Sequence, residues 1–386
     1  MTNLREVLGK YVESGVLPGA VGLVARGGRA EVAAVGVARL EDGAVMRRDA
    51  VFRVASITKM VTAAAAMMLV EDGVAGLGEP VARWLPELAE PMVVRVPGAP
   101  LDDVVAAVRP VTVEHLLTST CGYGFSSGFS EPAVVALSER VQRDGREPQG
   151  FLPAEEWVAE LARIPLLYQP GERYLYNTSY DLLGVLVARA SGRSFGEFLA
   201  ERIFEPLGMV DSGFVIRPGQ AGRMTSYYRG TAEGELELAD PAGGAWSDAP
   251  PLESGAGGLL GTADDWLAFC RMLLAGGVSG GGRRVLSPES VRLMTTDRLG
   301  PAQRGAGALF LDGQSWGFGG SVDIAMRDPW NVPGRYGWVG GTGTIAYVIP
   351  STGTVTVLMT QVAAESPAPS EYFNDFWRYA ATAFPA

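Results

Sequence analysis

Two apolar runs flank a Gly-Gly pair in GAVGLVARGGRAEVAAVG, residues 19–36, and this spacing predicts strands over 20–26 and 30–37 joined by a turn at Gly27 and Gly28. Ahead of them, LREVLGKYVE repeats its apolar positions at helical spacing, which predicts a helix over 4–13. The far end is similar: apolar, β-branched stretches predict strands over 321–326, 344–349 and 354–360, and a closing helix over 372–384 follows the segment ESPAPSE. Between the ends the pattern is mainly helical, over 113–118, 154–161, 180–191 stopped by Gly192, 195–203, and 262–274 stopped by Gly276. The longest apolar run, 60–70 broken only by Thr62, is shorter than the roughly 20 residues that a bilayer demands, so it reads as a buried helix.

Strands at both ends with helices in the middle predict an α+β fold in which one antiparallel sheet is built from the two termini, flanked by helices. The expected division is a discontinuous sheet domain, 1–80 and 250–386, with a mainly helical domain, 81–249, inserted in it and a small-molecule site in the cleft between them. There is no internal repeat and no long low-complexity linker.

Composition, at 47% hydrophobic and 19% charged, excludes disorder and fibrous repeats. The formal net charge of -11 argues against nucleic acid or an anionic membrane as partner, leaving a small molecule. Cys121 and Cys270 are isolated thiols without metal spacing, so they are expected to be buried and free, and neither a metal nor a cofactor is expected. Glu6 and Glu13 fall where a secretory signal needs a positive start and an unbroken apolar core, so the chain reads as cytoplasmic. The oligomeric state is not legible.

The G-x-S-x-G pattern occurs around Ser126, Ser194, Ser279 and Ser315, but with 51 glycines chance matches are expected. The nucleophile elbow needs a histidine downstream of the serine, and the sole histidine, His115, precedes all four. His115 itself opens an apolar helix and reads as structural. The sequon at Asn177 carries no weight without a signal peptide, and Asp264 and Asp265 read as helix-capping acids behind Thr262.

A serine hydrolase without histidine must activate its nucleophile through Lys or Tyr. Ser56 and Lys59 stand three residues apart at the head of the apolar 60–70 run, on one face of the predicted helix. There the helix N-terminus favours developing negative charge, and apolar surroundings favour the neutral amine. A helix cap with a snorkelling lysine is the competing account of this pattern by itself.

FRVASITKM resembles the nucleophile segment of serine beta-lactamases and penicillin-binding proteins, especially the class C branch and its relatives, the family VIII carboxylesterases. VTVEHLLTSTCG, the stretch YQPGERYLYNTSYDLLGVLVARASGRSFGEFLAERIFEPLGM, SGAGGLLGTADDWLAF and YGWVGGTGT resemble further segments of that family in the family's order. The resemblance implies a beta-lactamase-like fold, Ser56 as acylated nucleophile, and Lys59 and Tyr176 as the proton-handling pair, with the acceptor between them left open. It also implies that YGWVGGTGT forms an edge strand along the cleft, and that the backbone N–H groups of Ser56 and Gly341 form the oxyanion hole. Trp338, Gly340, Thr178 and Tyr123 are the expected substrate-binding residues. Trp330 and Phe125 are further candidates for the cleft wall.

The sequence departs from the antibiotic-directed members at two places. Trp338 stands where a cationic or polar residue is usual, and Thr178 stands where an asparagine is expected two residues after the tyrosine. Both departures weaken recognition of a carboxylate and an amide, and the family VIII carboxylesterases share the Trp-x-Gly form. The expected activity is a short-chain carboxylesterase; the alternatives are a beta-lactamase, a D-aminopeptidase or D-Ala-D-Ala carboxypeptidase-like amidase, an acyltransferase using the same intermediate, or a silent binding module.

Overall fold

The computed structural model describes residues 3–142, 146–366 and 368–384; Pro367 of the ESPAPSE stretch lies outside them. An antiparallel sheet is built from both chain ends. Its strands are β1 (Gly19–Arg26), β2 (Arg29–Gly36), β3 (Ser315–Trp316), β4 (Ser321–Val322), β5 (Tyr336–Gly340), β6 (Thr344–Ile349) and β7 (Thr354–Thr360), in the order β2-β1-β7-β6-β5-β4-β3. The expected hairpin is present, with Arg26 opposite Arg29 and Gly27 at φ +57° in the turn, a conformation that glycine adopts without steric cost. The two termini meet where β1 pairs β7, from Ala20 opposite Thr360 to Arg26 opposite Thr354.

Alternate side chains of the sheet enter two cores. Ala20, Val24, Ile345 and Leu358 pack against Leu4, Leu8, Phe373, Phe376 and Trp377 of the terminal helices α1 (Leu4–Glu13) and α5 (Glu371–Ala383). Val21, Leu23, Val357 and Met359 face the larger core, which holds α2 (Thr58–Glu71), α3 (Thr178–Ser191) and α4 (Ala263–Leu274). The strand expected over 321–326 ends at Val322. Beyond it the Ile324 and Ala325 N–H groups bond the Gln314 side chain instead of the ladder, and the chain leaves the sheet.

Helix α2 is buried along almost its whole length, from Thr58 to Leu69. A helix apolar on every side must be enclosed on every side. No helix among the described residues is long and apolar enough to cross a membrane. Residues of the proposed helical insertion also touch the sheet side: Arg53 forms a buried ion pair with Asp240, and Val51 bridges Met224.

Candidate active site

The segment that carries Ser56 is a single 3₁₀ turn, Ala55–Ile57, running directly into α2. Ala55 has φ +47°, a left-handed conformation that a residue with a Cβ seldom adopts, so the turn must be held by its surroundings. Two threonines of β5–β6 hold it: Thr342 Oγ1 donates to the Arg53 carbonyl at 2.6 Å, and Thr344 Oγ1 donates to the Val54 carbonyl at 2.7 Å. Gly340 permits that approach, because a Cβ there would stand 2.5 Å from the Val54 oxygen. Thr344→Val keeps the shape but leaves that buried carbonyl without its donor. It is expected to lower stability by about 1–3 kcal/mol, read as a lower urea midpoint at unchanged slope.

Lys59, fully buried on the first turn of α2, projects Nζ to within 3.0 Å of Ser56 Oγ. The same nitrogen donates to Asn177 Oδ1 and to the Ala256 carbonyl, each at 2.7 Å, and lies 4.6 Å from the centre of the Tyr176 ring. Burial pushes the Lys59 ammonium down to about 7, against the opposing pull of the Asp181 carboxylate. Burial pushes the Tyr176 phenol up to about 12, while hydrogen bonds from Ser56 and Trp338 offset part of that rise. At neutral pH the phenol therefore keeps its proton, and a large fraction of the amine is free to take one.

Ser56 and Tyr176 open onto a cavity of about 470 Å³, with Lys59 buried behind them. Its wall is largely apolar, with Phe125, Phe129, Phe310, Trp338, Val339 and Phe373, and it also takes in Gly340, Gly341 and Asn177. The structure thus brings together Ser56, Lys59, Tyr176, Trp338, Gly340 and Gly341. Strand β5 is not at the sheet edge as the resemblance implies. It is interior, but β4 pairs only with Tyr336 and Gly337, so the stretch from Trp338 to Gly340 runs past the end of β4 along the cavity.

Two expected substrate-binding residues do not reach the cavity wall. Thr178 is buried and its hydroxyl donates to Gln142 Oε1 at 2.6 Å; Tyr123 turns inward and donates to the Ile164 carbonyl at 2.9 Å. Trp330 packs on Trp377 beneath the terminal helices, whereas Phe125 does line the cavity. Trp338 is on the wall, but its one donor is already engaged, since the indole N–H bonds the Tyr176 oxygen at 2.8 Å. The remaining decoys have structural partners. Ser194 caps a helix, Ser315 bonds Asp297, Asp264 pairs with Arg48, and Nδ1 of His115 accepts the Thr112 N–H in a capping box.

Sequence reasoning missed Asn177, passing over it as a sequon. It stands one residue after Tyr176 at φ 88° and ψ -70°, the rare and strained form of a γ-turn centre, immediately before α3. That backbone turns its amide oxygen onto Lys59, so a side-chain amide does enter the site, one position earlier than the resemblance led one to expect. Asparagine's tolerance of positive φ is the only local signal for it. Phe310 was also missed; it stacks on the Tyr176 ring at 4.6 Å between centroids and comes from a short helix, Ala308–Leu311, among glycines.

Comparison with known proteins returns the same outline. The family model described as beta-lactamase matches residues 4–375. Protein Rv1367c of Mycobacterium tuberculosis is 38% identical over 368 residues, covering 93% of this chain and 88% of that one. Esterase EstB of Burkholderia gladioli is 32% identical over 376 residues, covering 90% and 87%. Among solved structures, EstCE1, a hydrolase with promiscuous acyltransferase activity, superposes with a TM-score of 0.77 at 24% identity over 97% of this chain and 96% of that one, which speaks to the fold.

Proposed function

The chain belongs to the beta-lactamase family, and from that premise we propose that it is a carboxylesterase that cleaves short-chain esters through an acyl-enzyme on Ser56. The observation that carries the proposal is the amine of Lys59, fully buried and 3.0 Å from the oxygen of Ser56, which itself lines a largely apolar cavity. In this reading Lys59 accepts the Ser56 proton as the oxygen bonds the ester carbonyl carbon. The backbone N–H groups of Ser56 and Gly341 stabilise the oxyanion. As the ester C–O bond breaks, Tyr176 protonates the departing alkoxide and recovers its proton from the Lys59 ammonium. Water then repeats the sequence on the acyl-enzyme and releases the acid.

Preference for esters over lactams is supported by Trp338: the position that resembles a carboxylate-gripping cation holds an indole whose only donor is engaged by Tyr176. The printed name of the Burkholderia relative supports the same reading. The test compares kcat/KM for p-nitrophenyl butyrate and for a chromogenic cephalosporin. Faster cephalosporin turnover would replace the esterase reading with the lactamase one.

Because the amine form is the active one, kcat/KM is expected to be low below pH 6, to rise tenfold per unit, and to level off above an inflection at about 7. The sole histidine is engaged in a helix cap, and Asp265, which burial raises to about 6, bonds Ser212, so the inflection is assigned to Lys59 by its 3.0 Å contact with the Ser56 oxygen. An activity flat from pH 5 to 9 would remove Lys59 as the base.

A further inference from the structure

One ionisable group buried beside this machinery has no part in the chemistry above. Asp181, on the first turn of α3, is fully buried. Its Oδ1 accepts from Ser254 Oγ at 2.6 Å and from the Ala256 N–H at 3.2 Å, and its Oδ2 accepts from Gln142 Nε2 at 2.7 Å. Ala256, held by its N–H, turns its carbonyl onto Lys59 Nζ at 2.7 Å. The 254–256 segment is wedged between α2 and α3 at Gly255, where a Cβ would stand 2.3 Å from the Tyr180 carbonyl and 3.0 Å from Thr62 Cγ2. Gln142 extends the set to the substrate side, since it lines the cavity while holding Asp181 and Thr178.

A carboxylate this deep is costly unless hydrogen bonds and an opposite charge compensate it. Three donors and the facing Lys59 nitrogen oppose the burial, which still holds the Asp181 carboxyl above the usual carboxylate range. Lys59 in turn meets Asp181 from α3 and the uncharged phenol of Tyr176 and amide of Asn177 ahead of it, while the 254–256 segment presents it with a carbonyl.

We propose that Asp181 is a positioning residue for the reaction: its carboxylate fixes the turn whose Ala256 carbonyl aims Lys59 at Ser56, and its charge stabilises the ammonium formed when Lys59 takes the serine proton. No proton moves to Asp181. The inference rests on the reading of Lys59 as base, and its experiment separates the two. The chain contains two lysines, Lys10 and Lys59, so protein labelled with ε-¹³C-lysine gives two resonances, and the Lys59 titration is read directly whether or not an ester turns over.

Asp181→Asn removes the charge, and turning the Gln142 amide about restores its hydrogen bond. The expected result is a Lys59 midpoint lower by about one pH unit, an acid limb of kcat/KM displaced by the same amount, and a plateau kcat down about tenfold with KM little changed. Ser254→Ala strips one donor from the carboxylate and moves both readouts the same way by less, which serves if the asparagine variant does not fold. A midpoint and limb that stay in place in the folded variant overturn the inference while leaving the esterase reading intact. A displaced midpoint in a protein that cleaves no ester supports the Asp181–Lys59 pairing and sinks the esterase reading instead.

Discussion

Ser56→Ala is expected to lower kcat/KM for a short p-nitrophenyl ester on the order of 10⁴-fold or more, because the covalent route disappears with the hydroxyl. Intact-mass measurement after mixing with the ester or with a fluorophosphonate shows one added group on the parent protein and none on the variant. Stability should change little. The hydroxyl bonds Lys59, which keeps its Asn177 and Ala256 acceptors in the variant, while Thr342 and Thr344 still hold the turn through the preceding carbonyls. Residual turnover within tenfold of the parent would mean that another residue is acylated, and the reaction scheme would have to be abandoned.

The second large effect belongs to Lys59→Met, which keeps most of the side-chain volume and deletes the amine. General-base removal typically costs 10²- to 10⁴-fold, and the upper part of that range, about 10³ to 10⁴, is expected because the neighbouring phenol holds its proton too tightly to substitute. The inflection near 7 should vanish with the amine. The variant is expected to be less stable, since it leaves the Asn177 amide oxygen, the Ala256 carbonyl and the buried Asp181 carboxyl without the nitrogen they face, so its urea midpoint is measured alongside its activity. If the inflection survived with reduced amplitude, the titrating group would be elsewhere.

What could be read from the sequence follows from how local each determinant is. Ser56 and Lys59 lie three residues apart where a 3₁₀ turn runs into α2, so their meeting is set by local geometry and only the burial had to be inferred. The 20–26 and 30–37 hairpin is equally local, and its strands start within a residue of the expected places. Tyr176 is different: it reaches the serine because two distant chain segments pack together, and only the resemblance placed it. Thr178 and Tyr123 were assigned to the wrong surroundings for the same reason. A side chain's direction at the head of α3 depends on the γ-turn at Asn177, and nothing in the alternation of apolar and polar positions encodes a positive φ at an asparagine. The strand over 321–326 was over-extended because its apolar residues look paired, whereas a side chain from 314 captures its N–H groups.

The threonine clamp bears on synthesis as well as on chemistry. The carbonyls of Arg53 and Val54 are made well before the hydroxyls that secure them, which stand 289 and 290 positions later. Pairing of the first strand with the last is delayed in the same way. Closing so long a loop is slow. A nascent chain therefore carries the turn around Ser56 unassembled until the segment with Thr342 and Thr344 has been made and has folded back onto it.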